Sequence, residues 1–207
     1  VGRADGWLMS ARDPRLLSTA GPSGTAPASA YLKIAEGCDR RCAFCIIPAL
    51  RGAQRSRGVD SLVDEARALV QAGARELNLV AQDTTAYGRD LEAAPHLAEL
   101  LAALDGVAGV VWIRVLYSYP SAVDERLMEA LAGLPRVVPY LDLPVQHVSK
   151  GVLRRMRRGY DGDCVRGLVE ALRRRVPGIH LRTTLLTGHP GETDQDFAEL
   201  RDFVRQA

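Results

Sequence analysis

Three cysteines fall within eight residues of this chain, Cys38-Asp-Arg-Arg-Cys42-Ala-Phe-Cys45, just after Gly37. Three thiolates on one short loop can hold three irons of a 4Fe-4S cluster. The fourth iron then stays open to a small molecule, unlike the four-cysteine ligation of electron-transfer clusters. The thiolate is the ligating form, and a bound metal lowers the thiol pKa to produce it. A disulfide framework fits poorly, because the chain has only four cysteines and shows no secretory segment. Structural zinc prefers four ligands in paired spacings. The remaining cysteine, Cys164, sits in a helical stretch and reads as a small buried or half-buried residue, although His147, His180 or His189 could complete a zinc site.

The elements that must carry this loop alternate regularly. Apolar runs at 31–34, 76–81, 110–116, 138–143 and 179–186 read as strands. Near-continuous apolar strands suit a parallel sheet covered on both faces. Between them lie amphipathic stripes: Leu62, Val63, Ala66, Leu69 and Val70; then Leu97, Leu100, Leu101 and Leu104; then Leu127, Met128 and Leu131, ended by Gly133. Leu153, Met156, Leu168 and Leu172 belong to the fourth connection, and Phe197, Leu200, Phe203 and Val204 form a last stripe starting near Thr193. Ser61 and Asp64 are placed like a capping box, with Gly73 as a stop. Strand alternating with helix five times predicts an α/β fold, either a βα barrel or an open doubly wound sheet. Right-handed crossovers bring every strand's C-terminal end to one rim, where βα-barrel active sites lie. The cysteine loop, Gln82-Asp83, Tyr117-Ser-Tyr-Pro120, Gln146-His147 and Gly188-His-Pro-Gly-Glu192 all fall there.

Composition is that of an ordinary globular protein, 47% hydrophobic and 25% charged. A net charge of +2 is too small to argue by itself for a nucleic-acid partner. Lys33 and Lys150 are the only lysines, a bias toward arginine. No apolar run approaches the roughly 20 residues of a membrane span. The first residues are charged at Arg3, Asp5, Arg12, Asp13 and Arg15 and do not read as a signal peptide, so a cytoplasmic location with no membrane partner is expected. Residues 1–30, rich in Gly, Pro and Ser, read as a linker.

The cysteine loop resembles the signature of the radical S-adenosylmethionine (SAM) enzymes, C-x3-C-x-aromatic-C, with Phe44 as the aromatic. The stretch from Tyr31 to Gly52 is similar to the methylthiotransferase branch. Ala81-Gln-Asp-Thr-Thr-Ala-Tyr-Gly88 resembles its RimO-type members, which act on a ribosomal protein, more than the tRNA-modifying MiaB type. Leu143-Pro-Val-Gln-His-Val-Ser149 and Gly188-His-Pro-Gly-Glu-Thr193 also match. One departure is His189, where the family usually has Phe.

The resemblance implies a partial six-stranded βα barrel at residues 31–207, a 4Fe-4S cluster on Cys38, Cys42 and Cys45, and SAM on the open iron. One electron from the reduced cluster would cleave SAM, and the cofactor would carry the hard chemistry while the protein orients it. The implied product is a methylthio group on the β-carbon of an aspartate in ribosomal protein S-twelve of the small subunit. The alternatives are the same chemistry on a tRNA adenosine, or an iron–sulfur redox or sensor protein. An electron donor such as a flavodoxin or ferredoxin is expected. So is a second, auxiliary 4Fe-4S cluster in an N-terminal domain outside this sequence, which reads as part of a larger enzyme, incomplete at its C-terminus.

Single residues carry finer expectations. Phe44 packs near the adenine or is a plain hydrophobic plug. Gln82 and Asp83 sit where such enzymes bind the methionine amino group, and an ionised Asp suits an ammonium; the alternative for Asp83 is a helix N-cap. Gln146 reaches the ribose or substrate, or stabilises a turn. Arg182, inside an apolar strand, needs a partner because a lone buried charge is costly, and either the SAM carboxylate or a structural acid would serve. Gly188 permits close backbone approach near the adenine. His147 and His189 are packing residues or catalysts. The basic runs 154–158 and 173–175 are solvated helix faces or contacts for ribosomal RNA or an acidic partner. No catalytic residue is assigned.

Overall fold

The computed structural model describes residues 28–207. Its strands are β1 (Ser29–Lys33), β2 (Ala35–Glu36), β3 (Arg55–Ser56), β4 (Glu76–Val80), β5 (Trp112–Val115), β6 (Val137–Asp142) and β7 (His180–Arg182). Its α-helices are α1 (Ile47–Arg51), α2 (Val59–Gln71), α3 (Leu97–Asp105), α4 (Glu125–Gly133), α5 (Lys150–Arg155), α6 (Gly162–Arg175) and α7 (Asp194–Gln206). Five strands form one parallel sheet in the order β1-β4-β5-β6-β7, and β2 and β3 form a separate antiparallel ribbon. This is the parallel α/β sheet expected from the alternation, and it is consistent with the partial barrel that the resemblance implies, with five parallel strands among the described residues. Of the residues read as linker, 1–27 lie outside the described residues. Ser29 and Ala30 pair with Glu76 and Leu77, so the first strand starts earlier than the apolar run indicated.

Register explains the core. Leu32, Leu79, Val115, Leu141 and Leu181 pair successively across all five strands. This row packs against Leu62, Leu69, Leu100, Leu104, Leu127 and Leu168 of the helices. Each fully buried leucine contributes about 1.5–3 kcal/mol, so this interface, rather than the loops, stabilises the scaffold.

The opposite face differs from the expectation of strands apolar on both sides. Tyr31, Asn78 and Arg114 form a second cross-strand row. Tyr31 and Trp112 are more than half exposed, and Arg114 bonds Glu76 and lies over the Tyr140 ring. Helices cover one face of the sheet, and the side chains of the other face alternate to polar.

Helix starts differ in one place from the sequence reading. α2 begins at Val59 behind an uncapped Gly58, so Ser61 is inside the helix; its hydroxyl accepts from Arg57 instead of capping. Thr193 does cap α7, reciprocally with Asp196. In α7, Leu200 and Phe203 are buried while Phe197 and Val204 are exposed, which narrows the predicted stripe. Cys164 is exposed near the start of α6, contrary to the buried reading.

The ribbon closes the cysteine loop at its base. Cys38 N–H donates to Gly52 O at 3.1 Å, and Arg57 N–H donates to Ile34 O at 2.9 Å. Gly37 adopts φ +85°, and a Cβ there would meet the Ala53 carbonyl oxygen at 2.1 Å. Only glycine lets the two arms of the loop come this close.

Candidate functional site

Four strand ends converge on one cavity of about 370 Å³. Its wall comprises Cys38, Arg40, Cys42, Phe44 and Cys45 from the cysteine loop, Gln82 and Asp83 after β4, Tyr117 to Tyr119 after β5, Pro144 and Gln146 after β6, and Arg158 after α5. That volume lies within the range of small-molecule and cofactor sites. Seven of the nine residues expected from sequence are therefore together: Cys38, Cys42, Cys45, Phe44, Gln82, Asp83 and Gln146.

Arg182 and Gly188 do not line this cavity. Arg182 is exposed rather than buried, with its guanidinium 3.8 Å from the buried Asp142 carboxylate. Asp142 is a structural acid of the kind expected as one of its two partners. The 188–192 segment packs sideways instead. Glu192 approaches the buried His147 at 3.5 Å, and Arg155 donates to Gly191 O at 2.7 Å. His147 Nδ1 accepts from Ser149 N–H, a packing role. His189 Nδ1 lies 3.1 Å from the Pro190 carbonyl, a contact that requires the proton on Nδ1.

The three thiols are free and differ in depth, with Cys38 buried, Cys42 half-buried and Cys45 exposed. Burial pushes the Cys38 thiol up, offset in part by the Arg40 backbone N–H at its sulfur. A metal would have to lower it again. No group of three or more His, Cys, Asp or Glu among the described residues converges on a single-ion site. Ligands of a cubane bind separate irons and need not converge. Gln82 Oε1 and Arg40 Nη2, on residues of the cavity wall, are buried without a partner. Three free thiols and two orphaned polar atoms around one cavity fit a cluster with a polar ligand beside it.

Buried polar groups hold the wall. Asp83 is 3% exposed, accepts from Arg40 Nε at 2.8 Å and from the Thr85 hydroxyl. It occupies the N-cap position of the 3-10 turn Thr84–Ala86, but its side chain makes no cap bond. Gln82 Nε2 donates to Glu36 at 3.1 Å. Arg40 and Arg158 both lie against the Tyr119 ring, at 3.8 and 4.4 Å from its centroid. Burial raises the Tyr119 phenol pKa, against the opposing effect of Arg158. Tyr117 and Gln146 take left-handed backbone, φ +57° and +67°. Such conformations cost about 1–3 kcal/mol and cluster at functional sites.

Arg40 and Arg158 were not singled out from sequence as site residues. Arg158 belongs to a basic run that reads as a solvated face. In the structure it is 6% exposed, because Arg157 reverses the chain at φ +56° after α5. The Gly159 that follows is the one local sign of a reversal in the sequence.

The Radical SAM superfamily profile matches residues 32–204. The chain is 53% identical, over its whole length, to "Ribosomal protein uS12 methylthiotransferase RimO" of Sorangium cellulosum, covering 42% of that protein. It is 54% identical over 96% of its length to the protein of the same name from Myxococcus xanthus, covering 40% of it. The chain thus spans about two-fifths of the length of these curated relatives. Its fold is similar to the radical SAM methyltransferase TsrM of Kitasatospora setae, with a TM-score of 0.68 and 21% identity over 86% of this chain and 34% of that one. Methylornithine synthase gives a TM-score of 0.57 at 13% identity, over the whole of this chain and 58% of that one. No helix among the described residues is long and apolar enough to cross a membrane.

Proposed function

Because the chain belongs to the radical SAM superfamily, we propose that it is the core of a methylthiotransferase. It adds a methylthio group to the β-carbon of an aspartate of ribosomal protein S-twelve, in the cytoplasm. The observation that carries this reading is the grouping of three free thiols with Phe44, Gln82, Asp83 and Gln146 around one cavity. Relatives about half identical in sequence, named as methylthiotransferases of ribosomal protein uS12, support the choice of substrate.

Cys38, Cys42 and Cys45 would hold a 4Fe-4S cluster, and SAM would occupy the cavity beside it. When bound and reduced, the cluster supplies the electron that splits SAM. The protein's own part is positioning. Asp83 keeps lone pairs free of Arg40 and Thr85 for an ammonium group. Gln82 is fixed through Glu36, which leaves its buried carbonyl oxygen without a protein partner and able to accept from the same ligand. Phe44 offers an apolar plate for the adenine. Gln146, held in left-handed backbone by bonds with Thr184 and Leu186, presents its amide to the ribose or substrate. Arg182 and Gly188, also expected at the SAM site, lie outside the cavity lining, so the assignment rests on the other residues. An auxiliary 4Fe-4S cluster and a low-potential donor such as flavodoxin or ferredoxin complete the proposal. The chain's fourth cysteine, Cys164, cannot hold a cluster alone.

The test is anaerobic reconstitution with iron and sulfide, reduction, addition of SAM, and measurement of 5′-deoxyadenosine. Formation that disappears in Cys42→Ala is expected. A cluster that persists in Cys42→Ala refutes the ligand assignment. With the full-length enzyme, methylthio product on tRNA alone would refute the ribosomal-protein substrate.

A further inference from the structure

Among the described residues, the charge on Arg158 has no acidic partner. Its Nε donates to Tyr160 Oη at 2.8 Å, its Nη2 to Pro144 O at 2.6 Å, and its Nη1 to Cys42 Sγ at 3.5 Å. Its guanidinium also lies 4.4 and 5.2 Å from the Tyr119 and Tyr160 ring centroids. No Asp or Glu among the described residues forms an ion pair with it, whereas Arg40 on the same ring is matched by Asp83. A buried charge without a counter-charge is costly. The Tyr160 and Tyr119 phenols also touch Arg158, but burial pushes both of their pKa values up; the neighbour that becomes an anion on ligating a metal is the Cys42 sulfur.

The backbone points the same way. The Ala43 N–H, between Cys42 and Cys45, donates to Met156 O at 3.0 Å. Arg158 N–H donates to Leu153 O at 3.1 Å, after the left-handed turn at Arg157. The end of α5 thus grips the middle of the cysteine loop twice, once by backbone and once by guanidinium.

We propose that Arg158 is a positioning residue that sets the reduction potential of the cluster through Cys42. The inference rests on the cluster assignment above. A cluster on three thiolates becomes more negative when it accepts one electron. A fixed, buried cation and an N–H···S bond both favour that reduced state, and net charge and hydrogen bonds to sulfur are established determinants of cluster potential. The exposed Arg154 and Arg155 at the end of α5 lack this leverage because water screens them.

The test is a potentiometric titration of the reconstituted full chain without SAM, followed by electron paramagnetic resonance, with iron content measured alongside. Arg158→Met is expected to disfavour reduction about tenfold, a lowering of roughly 59 mV for one electron. Arg158→Lys cannot reach Cys42 and Pro144 together and should lower the potential by a smaller amount. An unshifted potential in Arg158→Met overturns the proposal. If that variant assembles no cluster, an unshifted Arg158→Lys overturns it. Unchanged potential with weakened SAM binding would instead assign Arg158 to the SAM carboxylate, and this too overturns the proposal. Failure of the unaltered protein to assemble a cluster would refute the cluster assignment itself, which separates the two failures.

Discussion

Gly37→Ala tests how the cysteine loop is held. The substitution has two separable costs. Left-handed backbone is unfavourable for a residue with a Cβ by about 1–2 kcal/mol. In addition, the new methyl would sit 2.1 Å from Ala53 O and 2.8 Å from Gly52 O, both backbone atoms that cannot swing away. The arms must separate by more than an ångström. That breaks the Cys38 N–H···Gly52 O bond, worth about 0.5–1.5 kcal/mol net. The ribbon pairs only Ala35 with Ser56 and Glu36 with Arg55, so it has little to resist with. The sum is about 1.5–3.5 kcal/mol, which at about 2–4 °C per kcal/mol for a chain of this size lowers Tm by about 3–14 °C. Gly178→Ala is the control. Its φ is +73° but nothing lies within 4 Å of the added Cβ, so only the backbone cost applies. Thermal unfolding of the iron-free chain, with iron bound per chain after reconstitution, measures both. Gly37→Ala should lose stability beyond the control and lose iron, while Gly178→Ala should keep its iron. Equal Tm losses and full iron loading in both variants would refute the close-approach argument.

Two further perturbations probe the scaffold around the site. Arg57 and Glu65 form a buried ion pair at 2.5 Å beneath the ribbon; Glu65→Ala should cost about 3–5 kcal/mol because Arg57 is left buried and uncompensated, whereas the double apolar replacement Arg57→Met/Glu65→Leu should recover most of it, as urea midpoints would show. Asp196 is held down to about 2 by the Ser149 hydroxyl and by the Thr193 N–H and hydroxyl. Its folded value lies below the ordinary 3.8, so its stabilisation is complete above that pH and fades as pH falls toward about 2. Asp196→Asn should therefore lower Tm at neutral pH and flatten its fall in that acid window; parallel Tm profiles for the two proteins would contradict this.

The five strands were legible because each is an apolar run with β-branched or leucine content, and the rim loops stood out as the polar interruptions between those runs. Three cysteines at fixed spacing were legible for a chemical reason, since few arrangements use three thiols on one loop. The polar face of the sheet was harder to see. Tyr31, Asn78 and Arg114 are one per strand, and each is outnumbered locally by apolar neighbours. Only the register, which aligns them side by side, reveals a row. The start of α2 was misplaced because Ser61 and Asp64 satisfy a capping pattern that the helix, already begun at Val59, does not use.

The two arginines at issue show where sequence reasoning stops. Arg182 was read as interior because it stands in an apolar strand, and Arg158 as exterior because it ends a basic run. The rule that a buried charge is costly without a counter-charge was applied to Arg182, which is exposed, whereas Arg158, to which it was not applied, is the one that is buried. What decides its application is the direction of each side chain, and direction depends on backbone features that single residues do not announce. Arg182 pairs in register with Asp142 on the strand face opposite the helices, and there it reaches that carboxylate while remaining 59% exposed. Arg158 follows a left-handed residue, and that one reversal turns a guanidinium from solvent onto Tyr119 and Cys42. A charge pattern assigns an arginine to a surface only if the helix continues past it. Here α5 ends three residues earlier, at Arg155.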